Sequence, residues 1–324
     1  MTRSASSVYV EYAYEDDFGG GATTSFPIQF GKEVKATGLE FKNNQIPLGQ
    51  LYSPELETFA WGKNEGKVSM EYVVSNPWFF EAILDSVDSS GSTLFSHEWD
   101  SDPTINGSTI KTINSMALQI GFDVNSDYTR LPVGVVCPSL SFKMALNETV
   151  KITQELIWGE ETVNQTFTEP DGVPLAGEIP YTFVHVLITD PTTGSTLTTI
   201  QTFDLNINSN AELVYGFNSA NSEDAYRKIL ELTGKVGVTL KDSHFWEEVL
   251  GRAESSNEMV ITLSNGGAGD ALREIVIKLS GVSFSVHSTV GIEPGELVIE
   301  NLDFQARGIN VIAKNELADL PDSV

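Results

Sequence analysis

Apolar and polar positions alternate along most of the chain, and this pattern predicts a β protein. Residues 196–206, TLTTIQTFDLN, keep the two-residue period of a half-buried strand. Residues 184–190, VHVLITD, read as the strand before it. The PTTGS between them is a turn, because Pro fixes φ and Gly tolerates positive φ. Met259–Leu263 and Arg273–Leu279 form a second pair of strands, joined through the flexible SNGGAGDA. Leu297–Phe304 reads as the closing strand.

Two segments follow a helical spacing instead. In the first, Ser75 or Asn76 caps, Pro77 takes the first helical position, and Trp78, Phe79, Ala82 and Ile83 make an apolar stripe. In the second, Asp242 or Ser243 caps, and Glu247 and Glu248 suit the positive helix end. There Phe245 and Val249, with Trp246 or Leu250, form the apolar face. Aromatic residues at this spacing signify packing against a sheet. Trp78, Phe79, Ile83, Phe245, Trp246 and Val249 are therefore predicted core residues.

The same device occurs twice. GKVSMEYVVSNPWFFEAIL (66–84) parallels GKVGVTLKDSHFWEEVL (234–250), each a Gly-Lys-Val strand followed by an aromatic helix. Downstream, MALQIG from Met116 parallels MVITLS from Met259, and RLPVGVVCPSLSF from Arg130 parallels REIVIKLSGVSF from Arg273. A repeat this long means duplicated domains, since solenoid units run about 20–50 residues. The boundaries predicted are 1–158 for the first domain, with an insertion at 86–115, then a linker or arm at 159–180, and 181–324 for the second. The insertion is predicted to decorate the outside.

Composition narrows the partners. Forty-five acidic residues against nineteen Lys and Arg give a formal charge of −26. Such a surface repels nucleic-acid phosphates and anionic membranes. It reads either as adaptation to concentrated salt, which screens self-repulsion, or as an acidic functional surface at ordinary salt, and the scarcity of Lys favours the first. A single Cys, Cys137, allows no intrachain disulfide and sits in an apolar strand. The N-terminus lacks the apolar run of a signal peptide, and no stretch approaches a membrane span, so a soluble chain is expected.

Candidate chemistry is sparse. His97-Glu98-Trp99-Asp100-Ser101-Asp102 offers nitrogen and oxygen ligands at short spacing but lacks a calcium loop's closing bidentate Glu, and reads as a solvated turn. The glycines at 19–21 and in GGAG (266–269) lack the Gly-Lys-Ser/Thr of a phosphate loop. His97, His185, His244 and His287 are dispersed. No Gly-x-Ser-x-Gly elbow occurs. No catalytic, cofactor or metal site is predicted, and the chain is not expected to be an enzyme.

The series TFDLNINSNAELVYGF (202–217), LTGKVGVTL, aromatic helix, Gly-rich hairpin, IKLSGVSF and ELVIENLDFQAR resembles the major tail tube protein of long-tailed viruses in its duplicated-domain form. The likeness is best over 182–311, looser over 39–158, and includes the opening VYVEYAYEDDFGG. The acidity fits a virus of haloarchaea. The resemblance implies a mainly β fold of two tandem, duplicated tail-tube-type β-sandwich or barrel domains, each with one flanking α-helix. It implies a virion tail protein, assembled in the host cytoplasm, whose rings close an inner barrel and stack into a conduit for genome ejection. Six domain copies per ring imply homotrimeric rings. Partners implied are further copies, tape measure, tail terminator and baseplate proteins, and double-stranded DNA in passage without specific binding. No membrane or cofactor is implied. The net charge adds the expectation of an acidic lumen. Alternatives are another tail component (terminator, baseplate or sheath-like), a β-sandwich adhesin, or a β-sandwich glycosidase.

Overall fold

The computed structural model describes residues 8–20, 28–49, 56–84, 88–91, 95–101, 114–122, 129–163, 180–240, 244–251, 257–267, 273–290 and 298–315. The first half supplies β1 (Val8–Tyr14), β2 (Ile28–Gln29), β3 (Lys32–Asn43), β4 (Ile46–Gly49), β5 (Leu56–Ala60), β6 (Asn64–Val73), β7 (Asp88–Gly91) and β8 (Phe95–Asp100). It continues with β9 (Met116–Phe122), β10 (Thr129–Val133), β11 (Val136–Ala145), β12 (Lys151–Trp158) and β13 (Glu160–Val163). The second half supplies β14 (Val186–Ile188), β15 (Ile200–Asn208), β16 (Glu212–Tyr215), β17 (Ser222–Tyr226), β18 (Glu231–Thr239) and the helix α1 (His244–Gly251). It ends with β19 (Met259–Ser264), β20 (Glu274–Ser280), β21 (Ser283–Val290), β22 (Ile299–Ala306) and β23 (Gly308–Asn315). The protein is mainly β, as its alternating pattern dictates.

Eight strands form one antiparallel sheet in the order β3-β6-β12-β11-β15-β18-β22-β21. The first four come from the first half of the chain and the last four from the second. Within each set the connectivity is the same, so β3, β6, β12 and β11 correspond to β15, β18, β22 and β21. The smaller sheets repeat as well: β1-β9-β10-β13 is matched by β14-β19-β20-β23. Two hairpins also correspond, β4–β5 between β3 and β6, and β16–β17 between β15 and β18.

Alternation sets which face is buried. On β12, Ile152, Gln154, Leu156 and Trp158 point inward while Lys151, Thr153 and Glu155 stay out; β20 and β23 bury Ile275, Ile277, Leu279 and Ile309, Val311, Ala313 in the same way. One continuous hydrophobic core runs through both halves. The two strand sets, one from each half of the chain, thus share one sheet and one core.

Several elements differ from the sequence reading. The first predicted helix is a five-residue 3-10 turn, Trp78–Ala82, buried on all sides. Its cap position falls on Pro77, while Asn76 Oδ1 accepts the Trp78 N–H at 3.3 Å. Phe79 and Phe80 contact Phe142 of β11 at ring distances of 5.7 and 5.5 Å, and Trp78 meets His97 and Trp99 of β8 at 4.8 and 6.2 Å. Apolar neighbours on every side favour a short tight turn over an amphipathic helix. The second helix forms as α1; Val249 packs against the core and Leu250 is exposed, while the side chains of Phe245 and Trp246 lie outside the described residues.

Where it is described, the insertion at 86–115 is part of the fold and not a separate appendage. Its β7 and β8 extend the second half's sheet through β8–β23 pairing. The linker expected at 159–180 opens with a strand, since β13 pairs with β10, and Arg130 and Glu161 form a largely buried bidentate pair across it. Residues 164–179 lie outside the described residues. The strand expected at 184–190 is a 3-10 turn at Phe183–His185 followed by β14, and the strand expected at 196–206 runs as β15. Beyond the expected closing strand lies another, β23.

Candidate functional site: edges, open face and rim of the continuous sheet

The joint between the two strand sets is the antiparallel pair β11–β15, in register from Ser139 opposite Asn208 to Ala145 opposite Thr202. Leu140–Ile207, Phe142–Leu205 and Met144–Phe203 point into the core across it, and Ser141–Asn206 and Lys143–Asp204 point out. The outer edges of the sheet are β3 and β21, the counterparts of β15 and β11. An unpaired edge is a template for another strand. β3 is largely exposed, with Phe41 36% accessible, and carries two bulges; β21 carries one between Phe284 and Val286.

The outward face of this sheet is open, and its charges alternate. Lys143, Asp204, Lys235 and Asp303 stand side by side on four successive strands, β11, β15, β18 and β22. The next register row reads Lys35, Glu71, Thr153, Ser141, Asn206, Thr233, Gln305 and Ser283 across all eight. Lys35 pairs with Glu71 at 3.2 Å, Lys67 with Glu40 at 3.1 Å, and Lys235 with Asp303 at 3.7 Å. Partial burial raises the Asp204 pKa, and the flanking Lys143 and Lys235 oppose that rise. Lys35, Lys42, Lys67, Lys143, Lys151 and Lys235 on this face meet Glu40, Glu65, Glu71, Glu155, Asp204, Glu231 and Asp303 almost one for one. Nearly all of the net charge of −26 therefore lies elsewhere.

At one rim of the sheet, hairpin β16–β17 folds back over the first strand set. Tyr215 Oη donates to the Asn64 carbonyl at 2.6 Å, the Asn64 N–H donates to the Ala220 carbonyl at 2.7 Å, and Asn64 Nδ2 donates to Asn221 Oδ1 at 2.8 Å. Ala211 and Ala225 cover Val136, with Ile157 and Leu213 beside them. A cavity of about 310 Å³ under this hairpin is lined by Glu40, Lys42, Lys63, Glu65, Lys67, Glu212 and Tyr215. Hydrogen bonds from Lys63 and Asn44 hold the Glu65 carboxyl down to about 2. The lining charges pair with one another (Lys42 and Lys63 with Glu65, Lys67 with Glu40), so the cavity is a structural seam.

The His97–Asp102 cluster is strand β8 through Asp100, and not a turn. His97 and Trp99 are fully buried, while Glu98 and Asp100 point to the opposite face, where both accept from Asn310 Nδ2. Period-two geometry thus keeps these carboxylates away from the imidazole. The imidazole lies between Ser89 Oγ (2.8 Å) and Asn315 Oδ1 (3.0 Å). No group of metal-ligating side chains occurs among the described residues. Cys137 is buried, and burial pushes its thiol up to about 12. Trp78, Phe79 and Ile83 are each at most 2% accessible.

The functional elements missed in the sequence are the edge β3 and the two rim hairpins. The segment KEVKATGLEFKN did carry a signal, namely lysines spaced along a strand-like run, which is how edges are guarded against wrong pairing.

A family model described as phage tail tube protein matches residues 62–306, from the root of β6 to the end of β22. No curated protein matches the chain. The matched span holds seven of the eight strands of the continuous sheet, from β6 to β21 and all between. With the strand sets, edges and match in agreement, the chain belongs to the phage tail tube protein family and is a structural subunit of a viral tail tube.

Proposed function

We propose that copies of this chain join edge to edge into rings, that the rings stack, and that the lumen conducts the viral genome into the host cell at ejection. The family is structural and non-enzymatic, and its members assemble into a tube with other tail proteins of the virion. One observation carries the ring. The edges β3 and β21 are the counterparts of β15 and β11, which pair with each other inside the chain. Each chain therefore presents the two sides of a joint that it already makes once internally. Pairing β21 of one chain with β3 of the next repeats that joint and removes both edges.

Three chains then supply six strand sets, giving a threefold ring of pseudo-sixfold shape. The open face of the sheet becomes the inner wall. That wall is charge-balanced, so the acidic lumen expected from net charge is replaced by a polar one in which Lys and carboxylates alternate. DNA passing along it meets neither a strongly repelling nor a strongly binding surface. The acidic excess falls on other surfaces, where it supports a salt-rich host such as a haloarchaeon. Tape measure, terminator and baseplate proteins are the expected tail partners, with assembly in the host cytoplasm before the tail joins the virion. The mass of isolated rings tests the stoichiometry. Three chains with tubes visible in negative stain is the expected result, and a chain that stays monomeric across salt concentrations overturns the reading.

A further inference from the structure

The two rim hairpins occupy equivalent places, and the surface that one of them covers recurs in this chain without a cover among the described residues. β16–β17 pairs Glu212–Tyr226, Leu213–Ala225, Val214–Asp224 and, after a bulge, Tyr215–Ser222. β4–β5 pairs Ile46–Ala60, Pro47–Phe59, Leu48–Thr58 and, after a bulge at the same step, Gly49–Leu56. Pro47–Phe59 therefore holds the register place of Leu213–Ala225, the pair that lies over Val136.

The receiving surface is duplicated too. In the first strand set, Lys67, Ile157 and Val136 stand in one row across β6, β12 and β11. In the second, Lys235, Asp303 and Val286 stand in the matching row across β18, β22 and β21. The Gly-Lys-Val sequence around Lys67 and Lys235 fixes this equivalence. Val136, under its hairpin, is 0% accessible; Val286, at the same row position, is 47% accessible. Pro47 and Ile46 are exposed on the other hairpin, Ile46 by 54%.

We propose that hairpin β4–β5 of one chain docks on the β21–β22 rim of the neighbouring chain and covers its Val286, as β16–β17 covers Val136 within a chain. The occupant is a second copy of this protein. The placement agrees with the sheet order. β16–β17 follows β15 and covers Val136 of the adjacent β11, and β4–β5 follows β3, the edge strand that the proposed ring sets beside β21. This inference rests on the edge-to-edge ring reading and adds a latch to it that strand pairing alone does not require.

Cysteine cross-linking in assembled tubes tests it. Cys137 is buried with its thiol pushed up to about 12, so it stays silent. A chain carrying Pro47→Cys and Val286→Cys, assembled and treated with a short bis-maleimide, is expected to yield covalent oligomers on a denaturing gel. Pro47→Cys with Val136→Cys is expected to yield none. Tubes that form but cross-link no better than this control overturn the latch and leave the tube reading standing. Val286→Asp provides a second measurement, since Val286 is exposed in the free chain and the variant is expected to fold. Its tube yield is expected to fall at least tenfold, and a wild-type yield overturns the inference. If the folded wild-type chain forms no tubes at all, the ring reading fails, and the latch with it.

Discussion

Gly66 faces Trp158 across β6 and β12, and the indole ring occupies the space that a side chain at 66 would need: a Cβ there would stand 2.1 Å from ring atoms. The second strand set repeats the arrangement, with Gly234 opposite Phe304 and a would-be Cβ 2.3 Å from the ring. An aromatic ring laid over a strand glycine restores the packing that the missing side chain forfeits. Gly66→Ala and Gly234→Ala are each expected to destabilise the chain by about 1–3 kcal/mol through overpacking. Gly251→Ala, at the end of α1 with nothing within 4 Å, is expected to be neutral or slightly stabilising. Urea midpoints of the three variants check this.

Phe79 touches Tyr72, Phe80 and Phe142 and is 1% accessible. Phe79→Ala is expected to cost about 3–5 kcal/mol, because the surrounding strands cannot close the cavity. Trp246→Ala is proposed to cost a similar amount, on the sequence pattern of α1. Soluble, wild-type-stable protein from either variant would show that ring to be outside the core.

Glu15 accepts hydrogen bonds from the Gly19 and Gly134 N–H groups and the Ser115 hydroxyl. Burial nonetheless raises its carboxyl pKa, outweighing those bonds. A raised folded-state pKa favours the protonated folded chain. The stability that it contributes is present below the unfolded value of about 4.3 and lost as pH rises through the folded value. Wild type should therefore gain stability relative to Glu15→Gln as pH falls from 7 toward 4. Denaturation midpoints of both chains across that range give the sign, and a gap that does not change with pH would mean that Glu15 is more solvated than its position indicates.

Chelation is expected to leave the melting temperature unchanged, since β8 directs His97 to one face and Glu98 and Asp100 to the other. A fall in melting temperature on adding EDTA, restored by a divalent metal, would contradict that geometry.

Raising salt from about 0.1 to 1 M shortens the Debye length from about 10 to 3 Å. With a formal charge of −26, the folded chain should then gain stability, because compactness concentrates like charge. Melting curves at matched pH test this, and a melting temperature that falls with added salt would argue against adaptation to a salt-rich host.

Much of the fold was legible because period two is a strong signal. β15, β19, β20 and the core of β22 stand where strands were expected, and the Gly-Lys-Val repeat pointed to the corresponding β6 and β18. Failures arose where chemistry distracted from period. In FSHEWD the acids suggested a turn, yet His97 and Trp99 inward with Glu98 and Asp100 outward is a strand pattern. WFF places three adjacent aromatics, which no single helix face can bury; only a turn enclosed on all sides can. The β11–β15 joint left no mark in the sequence, because which strand neighbours which depends on contacts between distant segments. The site followed the same division: the repeat was readable, but its open ends were not.

The covalent link between the two strand sets changes the molecularity of tube building. Joint β11–β15 closes when the chain folds, at a rate independent of how many other chains are present. In the proposed ring, only the β21–β3 joints await other chains. In a six-set ring built from three such chains, three joints form inside the chains, two by encounter, and the last as the arc closes. Tethered partners meet at an effective concentration in the millimolar range, set by the connecting segment. Such a ring needs two encounters before it closes, where six single sets would need five, so fewer incomplete arcs can accumulate while a tail grows.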